Sequence, residues 1–149
     1  MYKQILCPVD GSPASNSGLN EAIMLAKDQN ANLRFIHVID TFFPIIDISG
    51  DLNVIYLADI LRENGKKILE KAEHAAKKAE VHADSIIIES VGGRISTAVV
   101  NQVTEWHADL IVMGTHGLRG FERLVIGSDA HAILRTSPVP VLLIRNPNN

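Results

Sequence analysis

The chain has 149 residues, of which 46% are hydrophobic and 21% are charged, and its formal net charge at pH 7 is -3. This size and composition predict a single globular domain, residues 1–149, with a buried core. The mild negative charge offers no broad attraction for nucleic acid or for an anionic membrane, because those partners need a concentrated basic surface. We therefore expect binding to neither.

Strand-length apolar runs alternate with helical periodicity along the chain. The predicted elements are, in order, strand Gln4–Val9, helix Ser15–Gln29, strand Leu33–Ile39, helix Ile55–Ala79, strand Ser85–Val91, helix Arg94–His107, strand Leu110–Gly114, helix Ser128–Thr136 and strand Val139–Ile144. The strands are nearly continuous Ile, Val and Leu runs, as in parallel strands covered on both faces. The pattern predicts an α/β fold: a Rossmann-like open parallel five-stranded sheet with helices on both faces.

Ligands of such sheets bind outside the carboxyl ends of the strands. The exit of the fourth predicted strand has the parts of an anion site, with four glycines in fifteen residues: Gly114, Gly117, Gly120 and Gly127. Glycines let backbone amides approach a phosphate, and a helix beginning at Ser128 adds free N–H groups and partial positive charge. Two arginines add further positive charge: Arg119 and Arg123. From the residues alone, a glycine-bearing surface loop with Ser128 as an ordinary N-cap is an open alternative.

The common nucleotide fingerprints are absent from the sequence. No G-x-G-x-x-G follows the first strand and no G-x-x-x-x-G-K-[ST] occurs, so neither a dinucleotide fold nor a P-loop is supported. The spacing Gly114-x2-Gly117-x9-Gly127-Ser128 instead resembles the G-2x-G-9x-G-[ST] nucleotide-binding pattern of the universal stress protein family. The resemblance covers essentially the whole chain, through the opening "ILCPVDGSPAS", the fourth strand "ADLIVMGTHG" and the closing "GSDAHAILRTSPVPVLLIR".

The resemblance implies an adenine nucleotide alpha hydrolase-like domain with sheet order 3-2-1-4-5, usually a homodimer. It implies ATP, or ADP or AMP, as the ligand, with a divalent cation such as Mg²⁺ alongside. The residues implied to line adenine and ribose are Pro8, Val9, Asp10, Val38, Met113 and Gly114. The residues implied to hold the phosphates are Gly117, Gly127, Ser128 and the backbone amide of Asp129.

Three acidic residues have alternatives that the sequence leaves open. Asp10, at the exit of an inner strand, is placed to accept a hydrogen bond from ribose or adenine, or to form an Asx-type turn or helix N-cap in "DGSPAS". Asp40 is a weaker candidate for a ribose hydroxyl, because the glycine fingerprint that accompanies such an acid is missing. Asp129 stabilises the first helical turn, and it either repels a triphosphate or helps to hold a metal.

No catalytic residue and no transition-metal site is predicted. His116 and His131 have no recognisable ligand spacing, and His37, within the second strand, is interpreted as a structurally satisfied histidine. Cys7 is expected to be buried among apolar neighbours rather than to act as a nucleophile. As the sole cysteine it can form no internal disulfide, and the N-terminus lacks a signal-peptide pattern, so we expect cytoplasmic residence.

Two further segments bear on partners. Thr41–Leu52 is unusually apolar for a loop, and a lid, a protein contact and packing back onto the sheet all remain open. In sheet order 3-2-1-4-5 the strand Val139–Ile144 lies at an edge, which pairing with its twin in a homodimer would cover. Residues 146–149 are expected to fray.

The function predicted is that of a nucleotide-binding regulatory protein of stress physiology. One alternative is a slow ATPase or phosphotransferase that uses the same site, although no general base or water-activating group is evident in the sequence. A second alternative is a nucleotide-free dimeric adaptor.

Overall fold

The computed structural model describes residues 1–42, 52–115 and 126–146. Its elements are β1 (Gln4–Pro8), α1 (Pro13–Gln29), β2 (Asn32–Asp40), α2 (Leu52–Lys78), β3 (Ala83–Ser90), α3 (Ile95–Trp106), β4 (Leu110–Gly114), α4 (Ser128–Thr136) and β5 (Val141–Ile144). The predicted alternation is confirmed, and β4 and α4 have their predicted bounds. The largest difference is the start of α2, at Leu52 rather than Ile55. Most of the Thr41–Leu52 loop and residues 147–149 lie outside the described residues.

The five strands form one parallel sheet in the order β3-β2-β1-β4-β5. Ile5 of β1 is in register with Leu33 of β2 on one side and with Leu110 of β4 on the other. The predicted order is therefore confirmed. Because the chain winds outward in opposite directions from β1, the carboxyl ends of β1 and β4 form the point at which the strand order reverses, where ligands of open α/β sheets bind.

Helices cover both faces of the sheet, as predicted. Alternate β1 residues point to opposite faces, since side chains in a strand have a period of two. Ile5 and Cys7 pack in the core beneath α1 and α2, whereas Leu6 packs in the core beneath α3 and α4. Cys7 is completely buried, and this burial raises the pKa of its thiol.

The first helix begins at a well-defined cap. Ser12 has extended backbone angles, and its hydroxyl accepts a hydrogen bond from the Ser15 amide at 3.1 Å. Pro13 follows in the first turn, where its missing N–H leaves no hydrogen bond unmade. The helix ends at Gln29, and the left-handed backbone of the C-cap residue Asn30 lets its amide close the last turn. In the part of the chain that is described, no helix has both the length and the apolar character needed to span a membrane.

Candidate functional site

The carboxyl end of β4 lies against the first turns of α1. A methyl group built on Gly114 would collide with the carbonyl oxygen of Ala14 and lie 2.8 Å from the Ser15 nitrogen. From the helix side, a methyl group on Gly18 would lie 2.6 Å from the Gly114 nitrogen. Gly114 is therefore required for backbone-to-backbone packing. Sequence analysis predicted only a ligand role for Gly114, and its contact with ribose stays a prediction.

The carboxyl end of β1 continues into the turn that holds Asp10. The half-buried Asp10 accepts a hydrogen bond from the Ser12 amide at 2.9 Å through Oδ1, which is an Asx-type turn. The turn alternative for Asp10 is thus observed, whereas the N-cap of α1 is Ser12 rather than Asp10. A carboxylate has several lone pairs and can accept more than one hydrogen bond.

The β2 exit supplies an apolar side chain and a second turn. Val38 is half-buried and packs, like Met113, on the side of the sheet that α3 and α4 cover. Asp40, the weaker ribose candidate, accepts hydrogen bonds through Oδ1 from the amides of Phe42 at 2.9 Å and Gly92 at 3.1 Å. Asp40 therefore ties the β2 exit to the β3 exit.

The N-terminus of α4 reaches the same edge of the sheet. The N-cap is Gly127, whose carbonyl accepts from the His131 amide and whose own amide donates to the Thr115 carbonyl, both at 2.9 Å. Thr115, directly after β4, donates its amide to Ile144 of β5 at 3.0 Å. These bonds place the start of α4 beside the end of β4. The alternative with Ser128 as N-cap is wrong, because Ser128 is the first residue of the helix.

The first turn of α4 offers backbone donors. Gly127 has no side chain with which to cap the helix, and no side chain among the described residues caps it. The amides of Ser128 and Asp129 precede the first intrahelical hydrogen bond, and both residues are exposed. These amides and the positive end of the helix dipole fit an anion such as a phosphate. The Asp129 carboxylate opposes that charge.

Nine of the ten predicted ligand residues can be placed, and they lie at or near the ends of the strands and of α4. Pro8, Val9 and Asp10 follow one another at the β1 exit, and the others come from β2, β4 and α4: Val38, Met113, Gly114, Gly127, Ser128 and Asp129. Gly117 falls outside the described residues. Within the described ranges, no group of three or more His, Cys, Asp or Glu side chains is arranged to hold a metal ion.

Two side chains at the β1 exit were not predicted to belong to the site. The Nδ1 atom of His37 lies 2.7 Å from the Val9 carbonyl oxygen, and Ser15 Oγ accepts a hydrogen bond from the Asp10 amide at 3.0 Å. The interpretation of His37 as structurally satisfied agrees with its contact, but the sequence does not reveal that its partner is the strand exit. For Ser15 no signal distinguishes it from its serine neighbours.

The chain is similar to known proteins over nearly its whole length. The model of the universal stress protein family matches residues 1–145. A universal stress protein of Methanocaldococcus jannaschii is 33% identical over 147 residues, which cover 99% of this chain and 84% of the relative. A crystal structure from the same family in Burkholderia pseudomallei is 30% identical, with a TM-score of 0.79 and 96% of each chain covered.

Two further solved structures share the fold and contain nucleotides. One is a universal stress protein in complex with cAMP, 24% identical, with a TM-score of 0.68 over 97% of this chain and 98% of the other. The second is an Archaeoglobus fulgidus universal stress protein in complex with dAMP, 20% identical, with a TM-score of 0.67 over 96% and 98%. The whole-chain match and the shared fold together mean that the chain belongs to the universal stress protein family.

Proposed function

We propose that this protein is an adenine-nucleotide-binding regulatory protein of the stress response, with ATP and Mg²⁺ as its preferred ligand, acting in the cytoplasm. One observation carries the proposal: the first turn of α4, which no side chain of the described residues caps, lies at the same sheet edge as the β1 exit, where the strand order reverses. If the first turn of α4 held the phosphates, the adenosine would lie within reach of the β1 exit. The cAMP and dAMP complexes of related proteins support an adenosine phosphate as the ligand.

The phosphate end of the proposed site uses backbone rather than side-chain charge. The amides of Ser128 and Asp129 would donate to phosphate oxygens, helped by a helix dipole equivalent to roughly half a positive charge. Gly127, and Gly117 by the family resemblance, would let the phosphates approach the backbone. Mg²⁺, when bound, would neutralise part of the phosphate charge, and its preferred ligands are oxygens such as those of Asp129.

The adenosine end of the proposed site is less polar. Pro8 and Val38 are half-buried, and Met113 is buried on the same side of the sheet as Val38, whereas Val9 packs in the core on the other side. The aromatic face of adenine would find apolar surface at Pro8 and Val38. The backbone of Val38 would recognise adenine, Met113 and Gly114 would lie under the ribose, and Asp10 would accept a hydrogen bond from the nucleoside. Such a division, apolar walls with few placed polar groups, is typical of nucleotide pockets.

The test is an equilibrium titration of the purified protein with ATP, ADP and AMP, each with and without Mg²⁺. We expect saturable binding, with the Mg²⁺ complex of ATP bound most tightly and GTP, the matched control with a different base, bound more weakly. No adenine-nucleotide binding at millimolar concentration would contradict the proposal. Mass spectrometry of gently purified protein, in search of a co-purified nucleotide, tests the same point without added ligand.

A homodimer through β5 is part of the proposal. β5 lies at an edge of the sheet, and Leu142 on β5 and Leu134 on α4 are exposed apolar side chains. Pairing β5 with its twin would satisfy the edge and bury such side chains. We expect the mass of a dimer by light scattering, and of a monomer in Leu142→Lys. Met24→Lys, at an exposed apolar residue of α1, is the matched control and should stay dimeric.

A further inference from the structure

The peptide that joins Val9 to Asp10 is held at both ends by side chains of neighbouring elements. Its carbonyl oxygen lies 2.7 Å from Nδ1 of His37 in β2, and its amide donates to Ser15 Oγ of α1 at 3.0 Å. A carbonyl oxygen can only accept a hydrogen bond, so Nδ1 of His37 must carry the proton. The plane of this peptide is thus fixed from two sides.

Asp10 also belongs to a closed ring of three hydrogen bonds, here called the Asp10 ring. The Asp10 amide donates to Ser15 Oγ, the Ser15 amide donates to Ser12 Oγ at 3.1 Å, and the Ser12 amide donates to Asp10 Oδ1 at 2.9 Å. Both serines are buried. Each residue of the ring donates through its backbone and accepts through its side chain, so the ring fixes the carboxylate as well as the backbone of Asp10.

The imidazole of His37 occupies space that α2 leaves open at Gly65. Gly65 is buried within this helix, and a methyl group on it would lie 2.8 Å from Cδ2 of His37 and 3.3 Å from Cδ1 of Ile87. Glycine weakens a helix interior relative to alanine. The close approach explains why glycine stands here, because a side chain would not fit unless the imidazole or the helix moved from its present position.

We infer that His37 and Ser15 are positioning residues for Asp10 in nucleoside recognition, an inference that rests on the proposed function. A carboxylate that accepts a hydrogen bond from a ligand binds more tightly when it is ordered beforehand, because less conformational freedom is lost on binding. His37 fixes the peptide that precedes Asp10, Ser15 fixes its amide, and Ser12 fixes its carboxylate. The result is a preorganised acceptor at the switch point of the sheet.

The first experiment compares ATP dissociation constants of His37→Leu and His37→Asn. Leucine removes the donor at similar bulk, whereas the asparagine amide can place an N–H close to the position of Nδ1. We expect His37→Leu to weaken ATP binding about tenfold, equivalent to about 1.4 kcal/mol, and His37→Asn to recover most of that loss. Equal affinity of His37→Leu and the wild-type protein would overturn the inference.

A double-mutant cycle separates positioning from general loss of structure. If His37 acts through Asp10, then His37→Leu should weaken ATP binding in the wild-type background but have little further effect in Asp10→Ala. Ser15→Ala should behave in the same way. Additive losses would mean that these residues only stabilise the fold, which overturns the positioning role. A third variant, Gly65→Ala, raises the helix propensity of α2 but crowds the imidazole of His37, so it should weaken ATP binding. It replaces His37→Leu in the test if that variant fails to fold.

A measurement without nucleotide tests the geometry itself. In the folded protein, ¹⁵N spectra should show a protonated Nδ1 on His37 and slow hydrogen exchange at the Asp10 amide, with faster exchange in His37→Leu. A protonated Nε2 with bare Nδ1 would contradict the arrangement. A wild-type protein that binds no adenine nucleotide contradicts the proposed function, whereas a wild-type protein that binds while His37→Leu binds equally contradicts only this inference.

Discussion

Gly18 of α1 and Gly114 of β4 touch through their backbones: a methyl group on Gly18 would lie 2.6 Å from the Gly114 nitrogen and 2.8 Å from the carbonyl carbon of Met113. Alanine at position 18 must therefore move the helix or the strand, and overpacking of this kind destabilises by about 1–3 kcal/mol. We predict that loss for Gly18→Ala in urea unfolding. Asn20→Ala, at an exposed position of the same helix, should change stability by no more than about 0.5 kcal/mol. Equal stability of the two variants would contradict the packing role.

Substitution of Gly127, unlike that of Gly18, should not reduce stability, because the Gly127 backbone angles of φ -58° and ψ 152° do not require glycine. Gly127→Asp supplies a side-chain cap and should raise stability by a few tenths of a kcal/mol, roughly 0.3. Its carboxylate would occupy the amides proposed to hold phosphate, so ATP affinity should fall at least tenfold. Gly127→Asn caps without charge and should weaken ATP binding less. Unchanged affinity in Gly127→Asp, measured by calorimetry, would argue against phosphate at this helix end.

Asp129 is the exposed acid of the first turn of α4. We predict that Asp129→Asn binds ATP more tightly than the wild-type protein in the absence of Mg²⁺, with a smaller gain for AMP, because the lost repulsion grows with phosphate charge. The helix should lose about 0.3–1 kcal/mol of dipole stabilisation in thermal unfolding. If ATP binding instead weakens only when Mg²⁺ is present, Asp129 helps to hold the metal.

Arg34 joins β2, β3 and α3, and it lies four residues nearer the amino end of β2 than Val38 does. It forms paired hydrogen bonds of 2.7 and 2.6 Å with Asp84 of β3, donates to Gln102 at 3.2 Å, and stacks 4.7 Å from the ring centre of Trp106. Lysine cannot reproduce the planar fork, so Arg34→Lys should lose about 1–2 kcal/mol of stability in urea unfolding with ATP affinity unchanged. The control is Arg62→Lys, which breaks a more exposed pair with Glu89 and should lose less.

Cys7 gives a prediction for pH. Burial raises the pKa of its thiol, so the folded chain keeps the proton that an unfolded thiol releases above about pH 8.5. This contribution to stability is complete below that pH and declines as the pH rises above it. We expect Cys7→Ala to lose less stability between pH 8 and 10 than the wild-type protein does. In addition, a disulfide reagent should label Cys7 only after unfolding, and rapid labelling of native protein would contradict its burial.

Much of the fold was predictable because its signals are local. Neighbouring residues in the sequence indicate the bounds of the apolar run Leu110–Gly114 and of the helical pattern Ser128–Thr136, and both are confirmed. The strand order came with the family resemblance rather than from the runs themselves. The start of α2 was less predictable, since it lies next to an apolar stretch and the helical spacing of apolar residues is clear only from Ile55 onward.

The site was less predictable because its contacts join distant parts of the chain. The glycine spacing does not distinguish Gly114 from Gly127, yet Gly114 is packed against α1 whereas Gly127 occupies the N-cap position of α4. Nothing near His37 in the sequence points to the Val9 carbonyl, and nothing near Gly65 points to His37. Only the folded sheet brings these residues together.

The order of the strands also determines at which stage of synthesis the proposed site can be complete. β1 leaves the ribosome before the other four strands of the sheet, but it lies in the middle of that sheet, and the bond between the Gln4 amide and Asp109 joins residues 105 positions apart. β1, β2 and β3 can therefore pair while β4 and α4 are still unmade, since domains assemble as the chain emerges. A chain that stops before Gly127 has Asp10 but no helix end to hold phosphate. Nucleotide, on the function proposed here, would stabilise only the finished protein and never its nascent fragments.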